Sequence, residues 1–114
     1  MRDVFTIAGT ATSVPATPLP LTFSNSAFSN QISFSFYNDP SHVSPFIGSI
    51  SGTIILLANA VTNAAWQPVI SPSGVVDFSQ NITSIAFNGV ANAIQYQITS
   101  TLSAPYLVMT VDRA

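Results

Sequence analysis

Hydrophobic and polar residues alternate along several short stretches of the chain, as they do in strands that face a core on one side. The clearest stretch is Gln31 to Tyr37, where Ile32, Phe34 and Phe36 alternate with two serines. Residues 90–102 and 106–112 alternate in the same way. The pattern predicts strands whose apolar side chains all face one buried layer.

The middle of the chain, from Ser49 to Ile98, predicts the centre of this layer, with strands at 50–58, 66–70, 74–79 and 83–87. Its predicted buried positions are Ile54, Leu56, Trp66, Val69, Val76, Phe78, Ile85, Phe87, Ile94, Tyr96 and Ile98. The nearly continuous apolar run at 50–58 favours a strand covered on both faces by a second sheet or a neighbouring subunit. A helix over 54–66 is the alternative, because short apolar runs with alanines also fit a helix.

Turn residues divide the chain between these stretches. Asn88-Gly89 predicts a two-residue type I′ hairpin turn. The prolines at 15, 18 and 20 exclude a helix and a central strand, so residues 14–22 are predicted to form an extended arm that becomes an edge strand near 19–24. Residues 3–13 are predicted to be a strand. Residues 38–48 are predicted to be a loop, and they contain the sole histidine.

Eight or nine short strands at a spacing of about 8–12 residues predict an all-β fold. The number fits a single-domain antiparallel β-sandwich, jelly-roll-like, spanning residues 1–114. A chain of 114 residues has the usual size of one domain.

Charged residues form only 5% of the chain, with no lysine and no glutamate, against about a quarter in a typical soluble protein. Serine, threonine, asparagine and glutamine replace them. A neutral polar surface can be buried against other subunits without the cost of desolvating charges, so it favours a protein packed into an assembly. A secreted β protein with a neutral coat is the alternative.

The same composition argues against several partners and locations. Two arginines give no basic patch for nucleic acid. The longest apolar run is far shorter than the roughly 20 residues that cross a bilayer, so no membrane partner is expected. The start of the sequence has no signal-peptide pattern, which predicts synthesis in the cytoplasm. The absence of cysteine fits a reducing compartment.

Candidate catalytic chemistry is sparse. Asp39, His42 and Asp77 are the titratable acids and bases away from the termini. Ser41, Ser44, Asp39 and His42 lie too close in one loop to form a Ser-His-Asp triad. We therefore expect no catalytic residue, no cofactor and no metal site. Calcium bound by Asp39 or Asp77 with backbone carbonyls is a weaker alternative.

Four side chains are candidates for contact with a glycan or a partner protein: Tyr37, Asp39, His42 and Trp66. Aromatic rings stack on sugars, and carboxylates and amides bond their hydroxyl groups. The alternative is that each ring packs in the core or an interface, where aromatic side chains bury large areas. For Trp66, which lies among apolar neighbours, packing is the favoured interpretation.

From Ser49 to Arg113 the chain reads SGT and an apolar strand, then WQPV, VVDFS, IAFNGVANAIQYQIT and YLVMTVDR. This order resembles small all-β structural proteins of tailed bacteriophage virions, namely decoration, neck, collar and fibre-associated sandwich domains. A similar order of tryptophan, valine, Asn-Gly-Val and isoleucine positions also occurs in sugar-binding sandwiches. The first 48 residues lie outside the resemblance.

The resemblance implies a non-enzymatic virion protein present in many copies, in the capsid decoration, the neck or collar, or the tail. Its partners would be copies of itself, in a trimer or another symmetric ring, and other virion proteins. The proline-rich arm could then clasp a neighbour. The alternative function is a carbohydrate-binding module or a host-surface glycan-binding tip.

Overall fold

The computed structural model describes residues 2–22, 29–61, 64–70 and 72–113. Within these ranges the chain forms nine strands and one 3-10 turn (Phe78–Gln80). The strands are β1 (Arg2–Ala8), β2 (Leu19–Pro20), β3 (Ser29–Tyr37), β4 (Thr53–Asn59), β5 (Gln67–Pro68), β6 (Val75–Asp77), β7 (Ser84–Asn88), β8 (Ala93–Ser100) and β9 (Tyr106–Arg113).

The strands form two antiparallel sheets. The first has the order β1-β9-β3-β7, and the second has the order β2-β8-β4, with β5 and β6 both pairing with the other side of β4. The predicted all-β sandwich is therefore confirmed. The helix considered for residues 54–66 is wrong, because residues 53–59 pair with β8 as a strand.

The core lies between the two sheets and follows the predicted alternation. In β9, Leu107, Met109 and Val111 are fully buried, while Thr110 and Asp112 face outward. Phe78 packs edge-on against Phe34 and Phe36 of β3, with ring centroids 5.0 and 5.1 Å apart. Three residues of the predicted buried seam are only half-buried: Trp66, Phe87 and Tyr96.

The predicted hairpin at Asn88-Gly89 is wrong. β7 belongs to the first sheet and β8 to the second, so residues 89–92 carry the chain from one sheet to the other. A type I′ turn needs a positive φ at both central residues. Gly89 has a φ of 121°, but the φ of Asn88 is not positive. Ile85 of β7 and Ile94 of β8, on either side of this crossing, are both buried in the core.

Two predicted strands end earlier than expected because local hydrogen bonds redirect the backbone. The strand predicted at 74–79 ends at Asp77, whose carboxylate accepts from the Ser79 backbone N–H at 3.0 Å and starts the 3-10 turn. The first strand ends at Ala8 instead of continuing to residue 13. There the Gly9 N–H donates to the Pro105 carbonyl at 2.8 Å, and the chain turns toward the second sheet.

The proline-rich segment is extended, and its backbone bonds to its own chain. The N–H groups of Thr12, Ala16 and Leu21 donate to carbonyls along β8 and its preceding turn, at 2.9 to 3.0 Å. Together with β2 the segment forms an interrupted edge of the second sheet. Residues 23–24, where the predicted edge strand was to end, lie outside the described residues.

Candidate functional site

The loop at residues 38–48 is tied to the end of β3 by backbone hydrogen bonds. The Asn38 N–H donates to the Ser44 carbonyl at 2.8 Å, and the Phe46 N–H donates to the Phe36 carbonyl at 3.0 Å. An isolated bridge pairs Tyr37 with Pro45. The loop is therefore an ordered extension of the first sheet.

Asp39 organises the inside of this loop. Its carboxylate accepts from the backbone N–H of Ser44 at 2.8 Å and from that of Val43 at 3.2 Å. These bonds favour the charged form and lower the pKa of Asp39, with the bond from Ser44 as the largest cause. Asp39 therefore acts as a turn-forming residue of the loop.

His42 joins the loop to the outer face of the first sheet. It has a φ of 62°, and its Nε2 lies 2.7 Å from the Thr6 hydroxyl of β1. Its ring centroid lies 5.3 Å from that of Tyr37. Val108, which is paired with Thr6, is buried although it belongs to this outer face. The fold thus brings Tyr37, Asp39 and His42 together.

Trp66 lies at the opposite end of the sandwich. It precedes β5, whose Gln67 pairs with Ala58, and the adjacent Asn59 carbonyl accepts from the Asn92 N–H at 2.7 Å. The turn that contains Asn92 also accepts a hydrogen bond from Asn30, near the start of β3, through the Gly89 carbonyl. Tyr37 lies at the other end of β3, about 23 Å from Asn30 at roughly 3.3 Å per residue. The four predicted contact residues therefore do not form one site.

The two interior aspartates, Asp39 and Asp77, both accept hydrogen bonds from their own loop or turn. Asp77, the other interior aspartate, accepts from both the backbone N–H and the hydroxyl of Ser79, and these bonds lower its pKa. The described part of the chain contains no cluster of three or more His, Asp or Glu side chains that could bind a metal.

No helix in the same ranges is long and apolar enough for a bilayer span.

A cavity with a volume of about 500 Å³ opens beside the loop. Its wall is aromatic, formed by Phe34, Phe36 and Phe78, and its rim carries serine, threonine and asparagine side chains from residues 49–51 and 79–83. Two exposed apolar residues project from the loop next to it: Val43 is 78% exposed and Ile47 is 92% exposed. This end of the molecule thus presents both an apolar recess and apolar side chains.

A buried polar cluster at the other end was missed by sequence reasoning. Arg113 is only 6% exposed, and its guanidinium donates to Asn30 Oδ1, to the Thr22 carbonyl and to the Ala91 carbonyl. Asn30, also buried, donates to the Gly89 carbonyl at 2.8 Å. An arginine next to the chain end reads as a surface charge, and only its distant partners reveal that it is buried.

No protein-family model, curated protein sequence or solved structure with which the chain was compared matches it. The interpretation of the surface therefore depends on the geometry given above.

Proposed function

We propose that this chain is a non-enzymatic structural protein of a virion, a jelly-roll sandwich that assembles with copies of itself through neutral β-rich surfaces. The virion is its expected location.

The order of the strands carries this proposal. From β1 to β4, and again from β6 to β9, consecutive strands alternate between the two sheets. β5 and β6 share one position beside β4. This leaves four strand positions in each sheet. Eight positions with such crossings fit the two Greek keys of a jelly roll, an architecture used by viral capsid and lectin domains. Fold analogy supports this function without identifying it.

The edges of the two sheets differ in a way that supports self-assembly. The second sheet ends in β2 on one side and in β5 and β6 on the other; β2 and β5 contain proline, which blunts an edge against further pairing, and β6 has only three residues. The first sheet ends in β7 and β1, and both strands lack proline and lysine. β1 is the longer of the two, with seven residues, and its Val4 side chain is 53% exposed. β1 is thus the longest edge on which a strand of another copy could pair.

The outer face of the first sheet has few charges to resist a partner. Ser33 of β3 pairs with Ser84 of β7 on one side and with Thr110 of β9 on the other, and Ser35 pairs with Val108. Arg2 and Asp112 on the same sheet neutralise each other through a salt bridge of 2.7 Å. A partner that covers this face would desolvate mainly hydroxyl groups, which costs less than desolvating charges.

Light scattering after size-exclusion chromatography tests the assembly. We expect the purified chain to form a symmetric oligomer at micromolar concentration, and Val4→Lys to shift it toward monomer, because an edge lysine opposes strand pairing. Val14→Lys is the matched control, since Val14 is 64% exposed but lies in the proline-rich segment.

Circular dichroism should show that both variants keep the β fold. A wild-type chain that stays monomeric at hundreds of micromolar would contradict self-assembly. The location is tested separately: mass spectrometry of virus particles purified from cells that carry the gene should detect the chain in many copies per particle. Particles without the chain would contradict the virion role.

Glycan binding is the second candidate, favoured by the Tyr37–His42 ring pair beside the exposed Val43. Binding on a glycan array that is lost in Tyr37→Ala, with the fold intact, would support this function. Equal binding by wild type and Tyr37→Ala would place any glycan elsewhere.

A further inference from the structure

One buried amide at the end of β4 has an unused hydrogen-bonding atom. Asn59 is only 5% exposed, and its backbone carbonyl accepts from the Asn92 N–H at 2.7 Å. Its side-chain Oδ1 has no hydrogen-bond partner within the described ranges. Buried polar atoms in native proteins are nearly always paired, so an unpaired one points to a group that binds there.

Asn59 lines a cavity of about 250 Å³ between the ends of the two sheets. Two further amide side chains line it: Gln67 of β5 and Asn88 of β7. The rest of the wall is apolar and comes from residues 58, 60, 68–69, 87 and 90. No charged side chain is among the described residues that line this cavity.

We infer that this cavity binds a neutral, hydroxyl-rich small molecule of the sugar or polyol class. Asn59 Oδ1 has less than 1 Å² of accessible surface, so the Asn59 amide turns toward the cavity when a hydroxyl group of the ligand donates to it. Other hydroxyls accept from the amide groups of Gln67 and Asn88. The C–H surfaces of the ligand pack on Phe87 and Val90. A charged ligand is disfavoured, because the wall offers no opposite charge to offset its desolvation.

The size of the cavity selects the size of the ligand. Its volume equals that of about eight water molecules at roughly 30 Å³ each. It lies just below the usual range of about 300–1,000 Å³ for pockets that hold drug-sized ligands. The cavity therefore suits a single ring unit, either free or at the end of a longer chain.

This inference is independent of the proposed assembly, since none of its residues lies on β1. It also uses none of Tyr37, Asp39 and His42. A failure of sugar binding here would leave the oligomer unaffected, and a monomeric chain could still bind the sugar.

Nuclear magnetic resonance of the ¹⁵N-labelled chain tests the site through the side-chain amide signals of Asn59, Gln67 and Asn88. The probes are methyl glucoside, methyl galactoside, methyl mannoside and N-acetylglucosamine, with glucuronate and glucosamine as charged comparisons. We expect at least one neutral sugar to shift all three signals in a saturable way, and the charged sugars to shift them less.

Gln67→Ala should weaken this binding about fivefold, the factor expected for the loss of one neutral hydrogen bond. Gln67 is exposed, so its replacement should leave the fold intact. Gln31→Ala, an exposed glutamine on the first sheet, is the matched control and should bind like wild type. The inference is overturned if no neutral sugar shifts the Asn59 signal saturably, or if Gln67→Ala binds as tightly as Gln31→Ala.

Discussion

Arg113 places a guanidinium in an interior whose other buried polar side chains, among the described residues, are the amides of Asn30 and Asn59. Its three nitrogens donate to acceptors from three separate segments, at Asn30, Thr22 and Ala91. The planar arrangement of the guanidinium lets one side chain serve all of them. The last strand is thereby tied to the chain before β3 and to the crossing between β7 and β8.

Arg113→Lys should lower the free energy of unfolding by about 2 kcal/mol, since an ammonium group keeps the charge but loses at least one charged hydrogen bond. Urea denaturation measures the change. Arg2→Lys is the matched control. Its salt bridge to Asp112 is exposed to solvent, so the substitution should change stability far less. Equal effects of the two substitutions would show that the burial of Arg113 contributes nothing.

Asp39 makes the 38–48 loop sensitive to acid. Its pKa is lowered in the folded protein, so its charged form supports the loop above the pKa of the unfolded chain, about 3.9. This support is lost as the pH falls through the lower folded value. Below about pH 4 we expect lower protection factors for hydrogen exchange, measured relative to the intrinsic rate at each pH, at the Val43 and Ser44 amides, which donate to this carboxylate.

Asp39→Ala should lower the protection factors of the same two amides at neutral pH. The Asn38 N–H, which bonds the Ser44 carbonyl and not the carboxylate, is the internal control and should respond less. If acid left the Val43 and Ser44 amides as protected as before, Asp39 would not be what orders the loop.

At the scale of elements, the end of β1 is where the chain leaves the first sheet for the second. Gly9 donates to the Pro105 carbonyl and accepts from the Leu102 N–H, each at 2.8 Å. A Cβ at this position would collide with the carbonyl oxygen of Ala104. The crossing therefore depends on the close approach of two backbone segments, which only glycine permits.

Gly9→Ala should cost about 1–3 kcal/mol of stability, the usual cost of forcing an extra carbon into a packed site. Thermal unfolding followed by circular dichroism would measure it. The neighbouring Thr10→Ala is the control, and because Thr10 is exposed it should have little effect. A stable Gly9→Ala variant would mean that the two segments can separate without loss.

The two sheets are unequal as elements of an assembly. Proline is present in β2 and β5 at the edges of the second sheet, while the edge strands of the first sheet, β1 and β7, contain none. Natural sheets with a regular free edge tend to pair through it unless charge or proline prevents this. The asymmetry directs any strand pairing between copies to the first sheet, where β1 is the longer edge strand.

At the scale of the whole molecule, the scarcity of charge predicts how the assembly responds to salt. Two basic and four acidic residues leave a formal net charge of −2. Raising the salt concentration from 0.1 to 1 M shortens the screening length from about 10 to about 3 Å and weakens exposed ion pairs. Contacts between hydroxyl and apolar groups are not weakened in this way.

We therefore expect the proposed oligomer to persist, with an unchanged dissociation constant, between 0.1 and 1 M sodium chloride. Analytical ultracentrifugation at both concentrations measures this. Dissociation at high salt would show that the few charged residues, and not the neutral faces, hold the copies together.

The sequence by itself determined which residues face the core within most strands. Ile32 and Phe34 of β3, and Leu107, Met109 and Val111 of β9, are buried as their alternation predicts. Successive side chains of a strand point to opposite faces, so a period of two residues reads directly as an inside and an outside. The two-layered all-β class follows from the number of such strands.

Tertiary structure alone decided which sheet each strand joins. Asn88-Gly89 has the local signature of a hairpin, yet the strands on its two sides belong to different sheets. Likewise, Arg113 is buried by Thr22 and Asn30, which are 91 and 83 residues away, and Tyr37 meets His42 because the loop folds back on β3. These outcomes depend on partners distant in the chain, whose competing contacts outweigh the preference of a short segment.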